Sequence, residues 1–183
     1  VVTEPEPIDR RAIGVLAFGH LAADLAQGVV PPLLPFLIAE RGYSFAAAGA
    51  LFLFSSLGSS LIQPLLGAFA DRIHASWLMP VGALLAALGV ALVGWMPTYP
   101  TTGMALGIAS VGIAMYHPEG VRYASWVSAA SGRQGRGMSF FAVGGMSGWA
   151  LGPILVTPLA LLGGLRATCL IAVVPLAAAI VLA

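Results

Sequence analysis

Between residues 73 and 118 the chain carries no Asp, Glu, Lys or Arg, and the stretches 42–70 and 137–165 are equally free of them. A membrane-crossing helix needs about 20 predominantly apolar residues. The longest of these stretches therefore holds two crossings, divided at Pro97-Thr98-Tyr99-Pro100, where two prolines bracket a polar pair. Charged residues make up 8% of the chain and apolar ones 59%, against about 25% charged in a soluble domain. Segments such as 84–93 are apolar all round, whereas the strands of a membrane barrel alternate apolar and polar residues.

This patterning predicts an all-α membrane protein with six transmembrane helices, near 12–39, 44–70, 76–96, 102–127, 137–162 and 166–183, behind a tail at 1–11. The eight basic residues are all Arg and face seven acids, too balanced and too sparse a set for a nucleic-acid partner. One cysteine, Cys169, excludes a disulfide framework. With the N-terminus in the cytoplasm, Arg10, Arg11, Arg72, Arg133 and Arg136 lie inside, and Arg41 and Arg166 outside, as the positive-inside bias requires of an inner (plasma) membrane protein. Arg10-Arg11 before an apolar run imitates a secretory signal, but that run carries Asp24 and three prolines and is followed by five more spans. The chain starts at Val1 and stops within an apolar helix at Ala183, so a piece of a longer protein is expected.

Ionisable residues inside a bilayer are costly and face a bundle interior or a wet cavity. Here they fall in the first and fourth predicted helices. His20, Asp24 and Gln27 follow at i, i+4, i+7 and share one helical stripe. Tyr116-His117-Pro118-Glu119-Gly120-Val121-Arg122 gathers three more around a proline, with Glu119, Arg122 and Trp126 on one face and His117 on another. Taking three helices per repeat, the first helix of each triplet bears a His followed by an acid near prolines, which suggests two inverted three-helix repeats and a binding site at those breaks.

Low-dielectric surroundings disfavour a charged carboxyl, so Asp24 is expected to bind and release a proton and to couple its movement to that of a substrate; the alternative is a protonated acid that joins two helices. His20 either relays that proton or is a packed core histidine. Glu119 and Arg122, at i, i+3, are expected to pair, unless Arg122 extends to the interface. His117 either contacts substrate or packs. No tight ligand spacing suggests a metal, no nucleophile–base pair suggests an enzyme, and no cofactor is expected. Gly144, Gly148 and Gly152, four apart and followed by Pro153, form a smooth ridge for close helix packing.

Gly67-Ala68-Phe69-Ala70-Asp71-Arg72 resembles the first half of the loop motif of the major facilitator superfamily, and Gly148-Trp149-Ala150-Leu151-Gly152-Pro153 is similar to its antiporter motif. Gly19-His20 with Asp24 and Gln27, Asp71-Arg72 ahead of Trp77-Leu78-Met79-Pro80, His117-Pro118-Glu119, and Met138-Ser139-Phe140 leading to Gly144-Gly145 together resemble its fosmidomycin-resistance branch. The loop motif departs from the pattern at Ile73-His74-Ala75-Ser76, where a Gly and basic residues are usual. The resemblance implies the N-terminal six-helix half (12–183) of a twelve-helix transporter, partnered by a C-terminal half or a second copy. It implies efflux of a small molecule by alternating access with proton antiport. Asp24 and His20 would handle the proton, and Gln27, His117, Glu119 and Arg122 would line the cavity. A cytoplasmic gate would comprise Gly67, Asp71, Arg72 and Arg136, with Asp71 in contact with Arg136, although Asp71 and Arg72 in a short loop are also explained by solvation. A symporter importing a small anion on Arg122, and a membrane scaffold without transport activity, remain open beside it.

Overall fold

The computed structural model describes residues 8–73 and 75–183, so the first seven residues of the expected tail lie outside the described residues. Every regular element among the described residues is helical: α1 (Arg10–Gly28), α2 (Val30–Arg41), α3 (Phe45–Ala70), α4 (Leu78–Val93), α5 (Tyr99–Ala130), α6 (Gln134–Ala167), a 3-10 turn (Thr168–Ala172) and α7 (Val173–Leu182). The runs Arg10–Arg41, Phe45–Ala70 and Gln134–Leu182 are each long and apolar enough to cross a membrane, and Leu78–Val93 is a shorter apolar helix.

Several helix ends depart from the expected bounds for local reasons. The first helix starts at Arg10 because the Asp9 side chain accepts the N–H groups of Arg11 and Ala12, both at 3.0 Å. It breaks at Val29, since Pro31 and Pro32 offer no N–H to continue the ladder but suit the first turn of α2. Gly42, at φ 69°, ends α2 in the left-handed conformation. The fifth element begins at Tyr99 rather than 102, because Thr98 and Thr101 form a reciprocal capping box and Pro100 fits the first turn. No loop separates the last two expected helices; α6 breaks instead at Gly164, with φ 67° and ψ −174°. That break leaves the Leu165 N–H without a helical partner, and the Glu40 carboxylate accepts it at 3.2 Å.

At the same end of the bundle Arg41 donates to the Gly94 carbonyl at 3.0 Å, and Arg166 lies 5.0 Å over the Trp95 ring. The opposite end carries the starts of α1 and α6 and the turn after α3, so Arg10, Arg11, Arg72, Arg133 and Arg136 cluster there. The main core joins Leu25, Val29, Leu33 and Leu37 to Val90, Leu106, Ile113 and Val156. The outward face of α3 shows Leu53, Leu57, Leu61 and Leu65 at i, i+4 spacing, each about half exposed or more, an apolar stripe larger than water-soluble surfaces tolerate.

Glycines bring α6 against α1. A Cβ at Gly148 would stand 2.8 Å from the Leu25 nitrogen, and one at Gly152 2.5 Å from the Gly28 carbonyl carbon. Gly144 meets Ala17 in the same way, and Pro153 follows in the same helix. Gly148→Leu is expected to destabilise the protein by about 1–3 kcal/mol or more, read as a lower melting temperature in detergent. Gly49→Leu, where a Cβ meets nothing within 4 Å, should melt like the parent.

Candidate functional site

Asp24 lies about 21 Å along the helix axis from Arg10, at about 1.5 Å per residue. That places it within the run Arg10–Arg41, which is long and apolar enough to cross a membrane. Two histidines converge on its carboxylate. His117 Nε2, from α5, stands 3.0 Å from Asp24 Oδ1, and His20 Nε2, one turn back on α1, stands 3.4 Å from Oδ2. The two rings meet edge to face with centroids 5.2 Å apart.

The far ring nitrogens determine the protonation state. His20 Nδ1 lies 2.9 Å from the Phe141 carbonyl oxygen and His117 Nδ1 lies 2.8 Å from that of Ile113. A carbonyl only accepts, so each Nδ1 is the donor and carries the hydrogen. In a neutral imidazole the Nε2 of His117 is then a bare acceptor, and it faces a carboxylate oxygen that is also an acceptor. The 3.0 Å contact requires one additional proton, held by the carboxyl or by the imidazole. Side-chain exposures of 13% for Asp24, 14% for His20 and 18% for His117 leave the cluster mostly but not fully buried.

A close helix approach makes this geometry possible. A Cβ on Gly145 would lie 2.5 Å from both Asp24 Oδ2 and His20 Nε2. Phe141, one turn earlier on α6, stacks on the His20 ring at 4.2 Å and holds it by its carbonyl. On the other side of the cluster Tyr116 is fully buried and donates its hydroxyl to the Leu16 carbonyl. Gly145, Phe141 and Tyr116 were not singled out as site residues in the sequence; the doubled glycine Gly144-Gly145 is the signal that could have marked the approach. Gly145→Ala is expected to displace His20 or Asp24, and histidine-selective NMR of the isotopically labelled protein should show the His20 resonances moved while the fold is kept.

The other expected site residues form a second group. Glu119 is fully buried, and its Oε2 accepts from Arg122 Nη2 at 2.7 Å. Arg122 Nη1 donates to the Ala70 carbonyl at 3.0 Å and lies 3.7 Å from Asp71 Oδ1. Its guanidinium stands 5.1 Å over the Trp126 ring. Asp71, Arg72, Arg122 and Trp126 line a depression of about 310 Å³, and Gly67 faces Pro118 just above it. The expected pairing of Asp71 with Arg136 is not formed. Asp71 caps α3 beside α5, within reach of Arg122, whereas Arg136 sits in the first turn of α6 near Arg10 and Arg133.

The two His–acid pairs make different contacts, since His117 joins Asp24 and leaves Glu119 to Arg122. Gln27 is half-buried one turn beyond Asp24, outside the three-residue cluster. The expectation that no ligand set is compact needs amending too. One atom each from His20, Asp24 and His117 fall within 4.8 Å of one another.

Residues 16–183 match the model of the Major Facilitator Superfamily. The chain is 32% identical over 143 residues to the fosmidomycin resistance protein of Escherichia coli (strain K12), an alignment covering 78% of this chain and 35% of that protein. It is 30% identical over 141 residues to the uncharacterized MFS-type transporter YfnC of Bacillus subtilis (strain 168), covering 77% of this chain and 34% of the relative. The chain thus spans about a third of the length of these relatives. With apolar membrane-length helices and a family match over nearly all of its length, this integral membrane chain belongs to the Major Facilitator Superfamily.

Proposed function

We propose that the chain is the N-terminal six-helix half of a secondary transporter that exports a small molecule by alternating access in exchange for protons. In this reading α1 with α2, α3, α4, α5, α6 up to Gly164, and the segment beyond it are the six spans, related as two inverted triplets. The arginine-rich end is cytoplasmic, since arginines favour that side. The single observation that carries the reading is the 3.0 Å Asp24–His117 contact with both histidine Nδ1 atoms committed to carbonyls. Such a contact stores one proton at mid-depth. Opening the cluster to one side and then the other loads and releases that proton. His20 supports Asp24, Gln27 lines the approach, and the Glu119–Arg122–Asp71 group with Gly67 and Arg72 governs closure at the arginine-rich end. Arg136 joins that closure only if it approaches Asp71 in another conformation. The small-residue face of Gly148 and Gly152, with Pro153, keeps α6 fixed to α1 while the half moves as a body.

Import of an anion on Arg122 is the weaker reading, because the Nη1 and Nη2 atoms of that guanidinium are already engaged by Ala70 and Glu119. A scaffold without transport predicts that replacing the intramembrane acids has no consequence. The resistance named for the Escherichia coli relative makes fosmidomycin the first probe. Everted vesicles carrying the full-length protein should accumulate it when the lumen is acidified, and a protonophore should abolish the accumulation. Accumulation that ignores the protonophore would contradict proton coupling.

A further inference from the structure

The arginine-rich end holds a groove that takes no part in either polar group. It has a volume of about 410 Å³, runs between the first turns of α1 and α6, and is lined by Arg10, Arg133 and Arg136 together with Ile13, Ala17 and Phe140. Among the described residues no carboxylate lines it. The neighbouring acid, Asp9, is engaged with the N–H groups of Arg11 and Ala12. Among the described residues none of the three arginines forms an ion pair. Three arginines that have no carboxylate partner among the described residues therefore line one end of an apolar channel, and Phe140 stands 54% exposed on its wall.

The groove changes character along its length. The arginines stand at or before the first helical turns, and Ile13 and Ala17 follow one and two turns deeper on α1. In a bilayer-spanning bundle that step, from cation to hydrocarbon within a few ångströms of depth, coincides with the step from headgroup to acyl chain. A guanidinium presents a planar fork that matches phosphate oxygens in pairs, and basic pockets between helices at this depth suit anionic headgroups. An inorganic anion would satisfy the arginines and leave the Ile13–Ala17–Phe140 wall bare.

We propose that this groove is a binding site for an anionic phospholipid, with the phosphodiester on Arg10, Arg133 and Arg136 and an acyl chain along Ile13, Ala17 and Phe140. The proposal stands on the groove alone and is independent of the transport reading. Gly14 opens onto the groove, and a Cβ built there meets nothing within 4 Å. A larger side chain at that position fills the groove without disturbing the helix.

The test uses the purified full-length protein in detergent, with phosphatidylglycerol, phosphatidylcholine and glycerol 3-phosphate added in turn. Melting temperature and bound lipid, by native mass spectrometry, are the readouts. Phosphatidylglycerol should be retained and should raise the melting temperature, and the other two should do neither. Arg133→Gln with Arg136→Gln should weaken the phosphatidylglycerol response on the order of 30-fold in concentration, and Gly14→Leu should weaken it with every arginine intact. An equal response to phosphatidylcholine overturns the proposal, as does a response to glycerol 3-phosphate matching that to the lipid, which would mark a free-anion site. A full response in both variants, or no lipid retained because another part of the chain covers the groove, overturns it as well. Should the arginine variant fail to fold, Gly14→Leu and the wild-type lipid preference decide.

Discussion

Asp24→Asn is expected to abolish transport driven by a pH gradient, reducing it to the level seen with a protonophore, while exchange of substrate down its own gradient persists. An amide keeps the shape of the carboxyl and removes its ability to exchange a proton. Its NH2 donates to the bare Nε2 of His117 without any shared proton. The 3.0 Å contact to His117 is therefore preserved while its charge no longer changes. His117→Asn should reproduce part of the defect, because Asp24 loses the partner at 3.0 Å and keeps the more distant His20. If Asp24→Asn retained full gradient-driven transport, the acid would be a structural group.

Arg122→Leu is expected to cost about 3–5 kcal/mol of stability, because it strands the fully buried Glu119 carboxylate. Glu119 Oε1 has no partner even in the intact pair, so Arg122 Nη2 at 2.7 Å is its only hydrogen-bond donor among the described residues. Combining Arg122→Leu with Glu119→Leu should restore most of that loss, since exchanging a buried ion pair for apolar side chains is often close to neutral. Asp71→Asn should change stability by less than about 1 kcal/mol, because the Asp71 side chain is 75% exposed and its contact to Arg122 is long. Thermal melts of the single and double variants close the cycle. A double variant no more stable than Arg122→Leu would show that Glu119 is not the group left stranded.

What could be read from the sequence divides along a physical line. Features set within one helix were legible. Ser44 and Asp71 bracket α3 close to its expected ends, the i, i+4 step places His20 beside Asp24, and the two-residue step from His117 to Glu119 turns them to different faces. Features set between helices were not. Nothing in the spacing of α5 says that His117 reaches Asp24, because that depends on how closely α1, α5 and α6 approach, and the approach depends on a missing Cβ at Gly145. The Asp71–Arg136 pairing came from a motif, and the structure replaces Arg136 by Arg122, whose long side chain spans from α5 to the end of α3. The helix break at Gly164 was foreseen as a loop. Its left-handed φ and the capping of Leu165 by Glu40 let the chain turn without one.

One proton shared in the Asp24–His117 contact is what the proposed exchange loads and releases, and infrared difference spectroscopy of the full-length protein measures it directly. On exchange from H2O to D2O the wild type should show a shifting band from a protonated carboxyl or an imidazolium, lost in Asp24→Asn and altered in His117→Asn. A spectrum with no such band, or one that Asp24→Asn leaves unchanged, would contradict the account.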